Sequence, residues 1–201
     1  MKRFALISVF LLLGIAYGFD LQSLLVVPKT KNATVEVNYH YSRNSKYGSE
    51  ERDLRAVYNM GNPVSLTISE GDKPLGTIYY DNQGKVVKQE FQGKVFEGVN
   101  LEVKGTMPEY KVVEKKPVSY KGKGALVVTS VREHSQEDTK GHLVMRTVVN
   151  STKKDYYDEE TGLLLRQEIT TDVVQKTFTV FDKERPLNER VNRISEVLEA
   201  K

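Results

Sequence analysis

Tyr156-Tyr157-Asp158-Glu159-Glu160-Thr161-Gly162-Leu163-Leu164-Leu165-Arg166-Gln167-Glu168-Ile169 repeats a pattern the chain has already used at Tyr79-Tyr80-Asp81-Asn82-Gln83-Gly84-Lys85-Val86-Val87-Lys88-Gln89-Glu90-Phe91. With one extra loop residue in the later copy, both read Tyr-Tyr-Asp, a polar loop, Gly, a short apolar or basic run, Gln-Glu and a large apolar residue. An Asp that accepts backbone N–H bonds, followed by a Gly in the left-handed region, is hairpin chemistry. The same hairpin written twice predicts a chain organised around antiparallel strands. It also argues against a catalytic motif at 156–169, since turn and strand grammar explains both copies.

Working outward from the repeat, Thr34 to Tyr41 alternates strictly, with Val35, Val37, Tyr39 and Tyr41 on one face and Glu36, Asn38 and His40 on the other. That pattern marks a half-buried strand. Residues 42–50 read as a polar loop, followed by a short strand around Leu54 to Tyr58, a turn at Gly61-Asn62-Pro63, and a strand with Val64, Leu66 and Ile68 inward. Val99 to Lys104 is a further alternating stretch. Prolines and lysines over 105–124 predict an edge strand and a long exposed loop, because both residue types protect a sheet edge. Ala125 to Glu133 and Leu143 to Val149 form a hairpin around the loop 135–141, and Val173 to Phe181 adds another strand. Asp20 to Val27, closed by Pro28, reads as one helical turn or an edge strand.

The last segment has a different period. Leu187, Val191, Ile194 and Leu198 recur at intervals of four, three and four after Pro186, the spacing of an apolar helical stripe. The expected fold is therefore mainly β: an antiparallel meander of about 9–11 strands forming a curved sheet or half-barrel, with one C-terminal amphipathic helix. Its organisation is a signal peptide at 1–18, an antiparallel β domain at 19–185 and a helix at 186–201 packed on the same domain.

Residues 1–18 carry Lys2-Arg3, an apolar run from Phe4 to Ile15, and Ala16-Tyr17-Gly18, the form of a cleaved secretory leader. The run falls short of the roughly 20 apolar residues that span a bilayer. A periplasmic or secreted location follows, with no integral span after cleavage. The chain has no cysteine, which excludes disulfides, thiolate metal sites, thiol nucleophiles and lipid anchoring through cysteine. Losing Lys2 and Arg3 with the leader lowers the formal net charge from +3 to +1, so there is no electrostatic case for nucleic acid.

Candidate chemistry is sparse. His134 and His142 flank the loop 135–141, with Glu133, Glu137 and Asp138 near, but no third ligand stands at diagnostic spacing, and two exposed histidines at a polar turn explain them as well. His40 has no identifiable partner. Lys111, Lys115, Lys116, Lys121 and Lys123, interleaved with Tyr110 and Tyr120, suit phosphate headgroups or an anionic glycan, or else a solvated loop and simple edge protection. In Tyr79-Tyr80 and Tyr156-Tyr157 one ring should enter the core while its neighbour covers the sheet. Asp155, Asp158, Glu159 and Glu160 read as turn carboxylates, without the apolar surroundings that acid catalysis needs. Gly-x-Ser-x-Gly, His-Glu-x-x-His and phosphate-loop patterns are absent. No enzyme is expected, no catalytic, cofactor-binding or metal residue is assigned, and the ligand-binding residues are left open.

The hairpin Tyr156-Tyr157-Asp158-Glu159-Glu160-Thr161-Gly162-Leu163-Leu164-Leu165-Arg166, in an exported cysteine-free chain of consecutive strands, resembles the LolA/LolB-like superfamily of bacterial envelope proteins and related uncharacterised periplasmic β-proteins. The resemblance implies a half-barrel with a helical lid over an apolar cavity, in proteins some of which carry lipoproteins or lipids between membranes. This chain departs from that pattern in having neither a clear N-terminal helix nor a mid-chain helical lid. The expected function is that of a non-enzymatic envelope protein binding or carrying a lipid-like ligand in a groove of a curved sheet. Its partner would be a lipid or lipoprotein. The alternative is a structural or interaction module that meets another envelope protein and holds no small molecule.

Overall fold

The computed structural model describes residues 21–91, 94–97 and 109–201. A 3-10 turn, Leu21–Leu24, precedes eleven strands: β1 Thr34–Ser45, β2 Gly48–Asn59, β3 Val64–Glu70, β4 Lys73–Tyr80, β5 Val86–Phe91, β6 Lys94–Glu97, β7 Lys111–Tyr120, β8 Lys123–Lys140, β9 Leu143–Asp158, β10 Leu164–Thr179 and β11 Asn188–Ala200. They form one antiparallel sheet in the order β6-β5-β4-β3-β2-β1-β11-β10-β9-β8-β7. The leader at 1–18 and the alternating stretch Val99–Lys104 lie outside the described residues.

The expected C-terminal helix is overturned, since residues 188–200 are a strand and no α-helix occurs among the described residues. β11 fills the centre of the sheet, pairing with β1 from Tyr39↔Ala200 to Ser45↔Ile194 and with β10 from Arg166↔Glu199 to Thr177↔Asn188. Without it, β1 and β10 would present two long rows of unpaired N–H and C=O groups. A 13-residue helix is marginal by itself, and the β-branched Val191, Ile194 and Val197 suit a pleated strand. The apparent stripe divides in the sheet: Ile194 and Leu198 point to one face, while Val191 points to the other.

Two expected loops are also strand. Residues 42–50 form a tight hairpin, with β1 and β2 in register down to Ser45↔Gly48. β8 and β9 likewise continue to Lys140↔Leu143, which reduces the loop 135–141 to the turn Gly141-His142. β7 is an edge strand, as its lysines and Pro117 suggest, and most of it is exposed.

Both repeated hairpins form as read. Asp81 Oδ1 accepts the N–H groups of Gln83 (2.9 Å) and Lys85 (2.8 Å), and Asp158 Oδ1 accepts those of Glu160 (3.1 Å) and Thr161 (2.7 Å). Gly84 and Gly162 follow at φ of 77° and 73°, a conformation that favours glycine.

The two turns also show how far the sheet bends. In a flat sheet of this order, six interstrand spacings would separate them by about 29 Å. Instead they bracket adjacent residues of the N-terminal segment: a Cβ at Gly84 would lie 3.8 Å from Val27 Cγ2, and one at Gly162 would lie 3.9 Å from Val26 Cγ1. Two such contacts to neighbouring residues bring the turns within about 15 Å. The sheet is therefore strongly curled at this end, and the segment from Leu21 to Pro28 lies as a strap across its inner face. Lys29 N–H donates to Thr161 O at 2.7 Å and ties the strap down.

Most of the apolar core lies beneath the strap. Tyr39, Tyr41, Leu54, Ala56, Tyr58 and Leu66 are buried on the inner face with Leu24 over them. Tyr58 donates to Leu24 O and Tyr39 reaches past β11 to Leu164 O, each at 2.8 Å. Buried phenols need such acceptors, and burial raises both hydroxyls above the usual phenol range.

Candidate functional site

Residues directly opposite each other on neighbouring strands share a face, so the registers define the inner surface row by row. Over β1–β4 that surface is apolar. Towards β8–β11 it becomes a polar band, which no sequence pattern announced. One row runs Arg43, Glu196, Ile169, Lys153, Ser130, and the next runs Tyr41, Leu198, Gln167, Asp155.

Asp155 corrects the reading of it as a turn carboxylate. It lies within β9, only 2% exposed, beside Lys153 at 7%. Lys153 Nζ is 3.2 Å from Asp155 Oδ2, donates to Ser23 Oγ of the strap at 3.2 Å, and lies 4.8 Å from the Tyr110 ring centre. Gln167 Nε2 donates to Asp155 Oδ1 at 2.9 Å. Burial pushes the Asp155 carboxyl above its ordinary value, with Lys153 and Gln167 opposing. The pair fastens the strap and satisfies most of its own hydrogen-bonding capacity.

Glu196 is the second inward-facing acid, its side chain 11% exposed. Tyr41 OH donates to its Oε1 at 3.2 Å, and Arg43 Nε stands 3.5 Å from the same oxygen. Burial raises its pKa from 4.5 to about 6, against the pull of Arg43, the Tyr41 bond and Arg132. Arg132, on β8, lies over the Tyr110 ring at 4.4 Å.

Beyond this band the inner face carries half-buried Val149, Val173 and Ile194, then more exposed Met145 and Leu143. The strap's described contacts stop short of these residues. An apolar floor thus continues outward past this band of charged side chains.

The candidates read from sequence disperse. His134 stands opposite Val149, six residues, or about 20 Å, from the turn that holds His142; His142 stacks on Phe181 at 6.0 Å. His40 pairs with Asp53 at 2.9 Å, and Lys201 reaches the same carboxylate at 2.7 Å. Among the described residues no three potential ligands gather for a metal. The tyrosine pairs divide as expected: Tyr80 is buried and Tyr157 packs against the core, while Tyr79 bonds Glu90 and Tyr156 meets Tyr120. On the outer face Lys121 and Tyr120 bond Glu199, with Arg166 beside it, and hold its carboxyl down from 4.5 to about 2. That web joins β11 to the β7–β8 hairpin.

The geometry defines an open, curled antiparallel sheet with a strap over half of its inner face. No family model and no curated protein matches the chain. Among solved structures it is similar to a DUF1329 family protein from Desulfovibrio piger ATCC 29098, with 9% identity, 85% of each chain covered and a TM-score of 0.33. It is also similar to a domain described as an outer membrane lipoprotein-sorting protein, from Vibrio parahaemolyticus, with 11% identity, 84% of this chain and 83% of that one covered, and a TM-score of 0.21.

Proposed function

We propose that this protein is an exported, non-enzymatic envelope protein that holds a lipid-like amphiphile on the inner face of its curled sheet. The observation that carries the proposal is the continuity of that face. Tyr39, Leu54 and Tyr58 lie under the strap, and the same surface runs through the Arg43–Glu196–Lys153 row to Val149, Val173 and Ile194. An apolar surface broken by a few placed polar groups is how small-molecule sites combine affinity with orientation. The exported location rests on the leader at 1–18, and among the described residues no helix is long and apolar enough to cross a membrane.

Native mass spectrometry of gently purified protein, followed by titration with a fluorescent fatty acid, tests the proposal. A bound amphiphile or saturable uptake is expected, with loss of uptake in Val173→Asp. A protein that is always empty and takes up no probe would refute it. One observation favours the alternative of an interaction module: Val112 and Val113 on edge strand β7 are 53% and 59% exposed. In that case a strand of another envelope protein would add to β7, and the inner face would stay empty.

A further inference from the structure

We infer that Arg43 and Arg132 form a receptor for an anionic headgroup, so that the ligand is an amphiphile ending in a carboxylate or phosphate. The inference rests on the ligand-binding reading above and gives its ligand a chemical class.

Two inner-face arginines have hydrogen-bonding capacity that their neighbours do not meet. Along this part of the inner face, Arg52 lies beside both Glu50 and Glu70, and Lys153 has Asp155. Arg43 has only Glu196, and Arg132 makes no ion pair among the described residues and meets the Glu196 charge only at longer range. That carboxylate already accepts from Tyr41, and Arg43 Nε stands too far from it, at 3.5 Å, for a good hydrogen bond. The Nε atoms of both arginines are buried with no hydrogen-bond partner among the described residues, while the Arg43 side chain as a whole is 38% exposed and keeps its outer N–H groups open to a ligand. Buried donors of a charged group are costly to leave unmet.

The placement also suits an anion. Arg43 comes from β1, next to β11, and Arg132 comes from β8, in register with Ser151, Thr171 and Ile194. The two therefore approach from opposite sides of the floor made by β9, β10 and β11. Guanidinium edges offer paired N–H donors that match carboxylate and phosphate oxygens. Tyr110 under Arg132 restrains one of the two groups. From this point Ile194, Val173 and Val149 lead along the floor, so a headgroup at the arginines leaves its chain on apolar surface.

Titration calorimetry with dodecyl phosphate, dodecanoate and dodecanol at pH 8 separates the charge from the chain. Both anions should bind at least tenfold tighter than the alcohol. Arg132→Gln and Arg43→Gln should each bring the anions close to the alcohol's affinity and leave the alcohol's own unchanged. Arg193→Gln, on the outer face and paired with Asp172, should change none of them, and far-UV circular dichroism confirms that each variant is folded. Inorganic phosphate is the chainless arm and should bind far more weakly than dodecyl phosphate. Equal affinity for the alcohol and the anions, or equal weakening of all three by Arg132→Gln, would overturn the receptor while leaving ligand binding intact. Inorganic phosphate binding as tightly as dodecyl phosphate would overturn the amphiphile. If none of the three chains binds, the ligand-binding reading falls and this inference falls with it.

Discussion

Replacing Glu196 with glutamine should stabilise the protein at neutral pH and leave its stability unchanged in acid. The carboxyl is buried beneath Tyr41, and its pKa stands at about 6 in place of 4.5 because burial outweighs the attraction of Arg43 and Arg132. A folded-state pKa above the unfolded value means that the contribution is fully present below pH 4.5 and is lost as pH rises through about 6. The difference corresponds to about 2 kcal/mol at pH 7.5. For a chain of this length that is a rise in Tm of about 4–8 °C in Glu196→Gln. Differential scanning calorimetry of wild type and variant at pH 4 and pH 7.5 reads it directly, because shared titrations cancel in the comparison. A variant that melts lower than wild type at pH 7.5 would refute the reasoning, since the arginines would then outweigh burial. A difference of the same size at both pH values would show that ionisation is not its source.

Three further outcomes follow from the packing. Leu24→Ala empties a fully buried site under the strap and should cost about 2–5 kcal/mol in urea denaturation. Lys153→Met leaves Asp155 buried without its counter-charge and should cost about 3–5 kcal/mol at pH 7. That loss should shrink in acid, where a protonated Asp155 needs no partner, and most of it should be recovered by adding Asp155→Leu. Truncation after Arg185 removes the central strand and should abolish cooperative unfolding, whereas a terminal helix acting as a lid would leave the β circular dichroism signal intact.

The local features of this fold are readable because they are written in adjacent residues. Val35 to Tyr41 alternates because one face is buried, and the Asp81-to-Gly84 and Asp158-to-Gly162 turns carry their own hydrogen bonds. β11 was not readable in this way. Its apolar residues happen to fit helical spacing, and the reason it is a strand lies in β1 and β10, about 150 and about 20 residues away in the chain. The polar band escaped for a related reason. Lys153 and Asp155 look like the approach to a turn, and only the register that sets them opposite Ile169 and Gln167 shows that they point inward. Arg43 falls within the expected loop 42–50 and Arg132 within the expected strand 125–133, and only the strand registers set both on the inner face.

Photo-crosslinking with a diazirine-bearing fatty acid tests most directly whether the inner face is the binding surface. Peptide mapping should place the adducts on the inner-face residues Met145, Val149, Val173 and Ile194, with little on Val174 or Val197 of the outer face. Adducts spread evenly over both faces, or confined to the β7 edge at Val112 and Val113, would contradict that account.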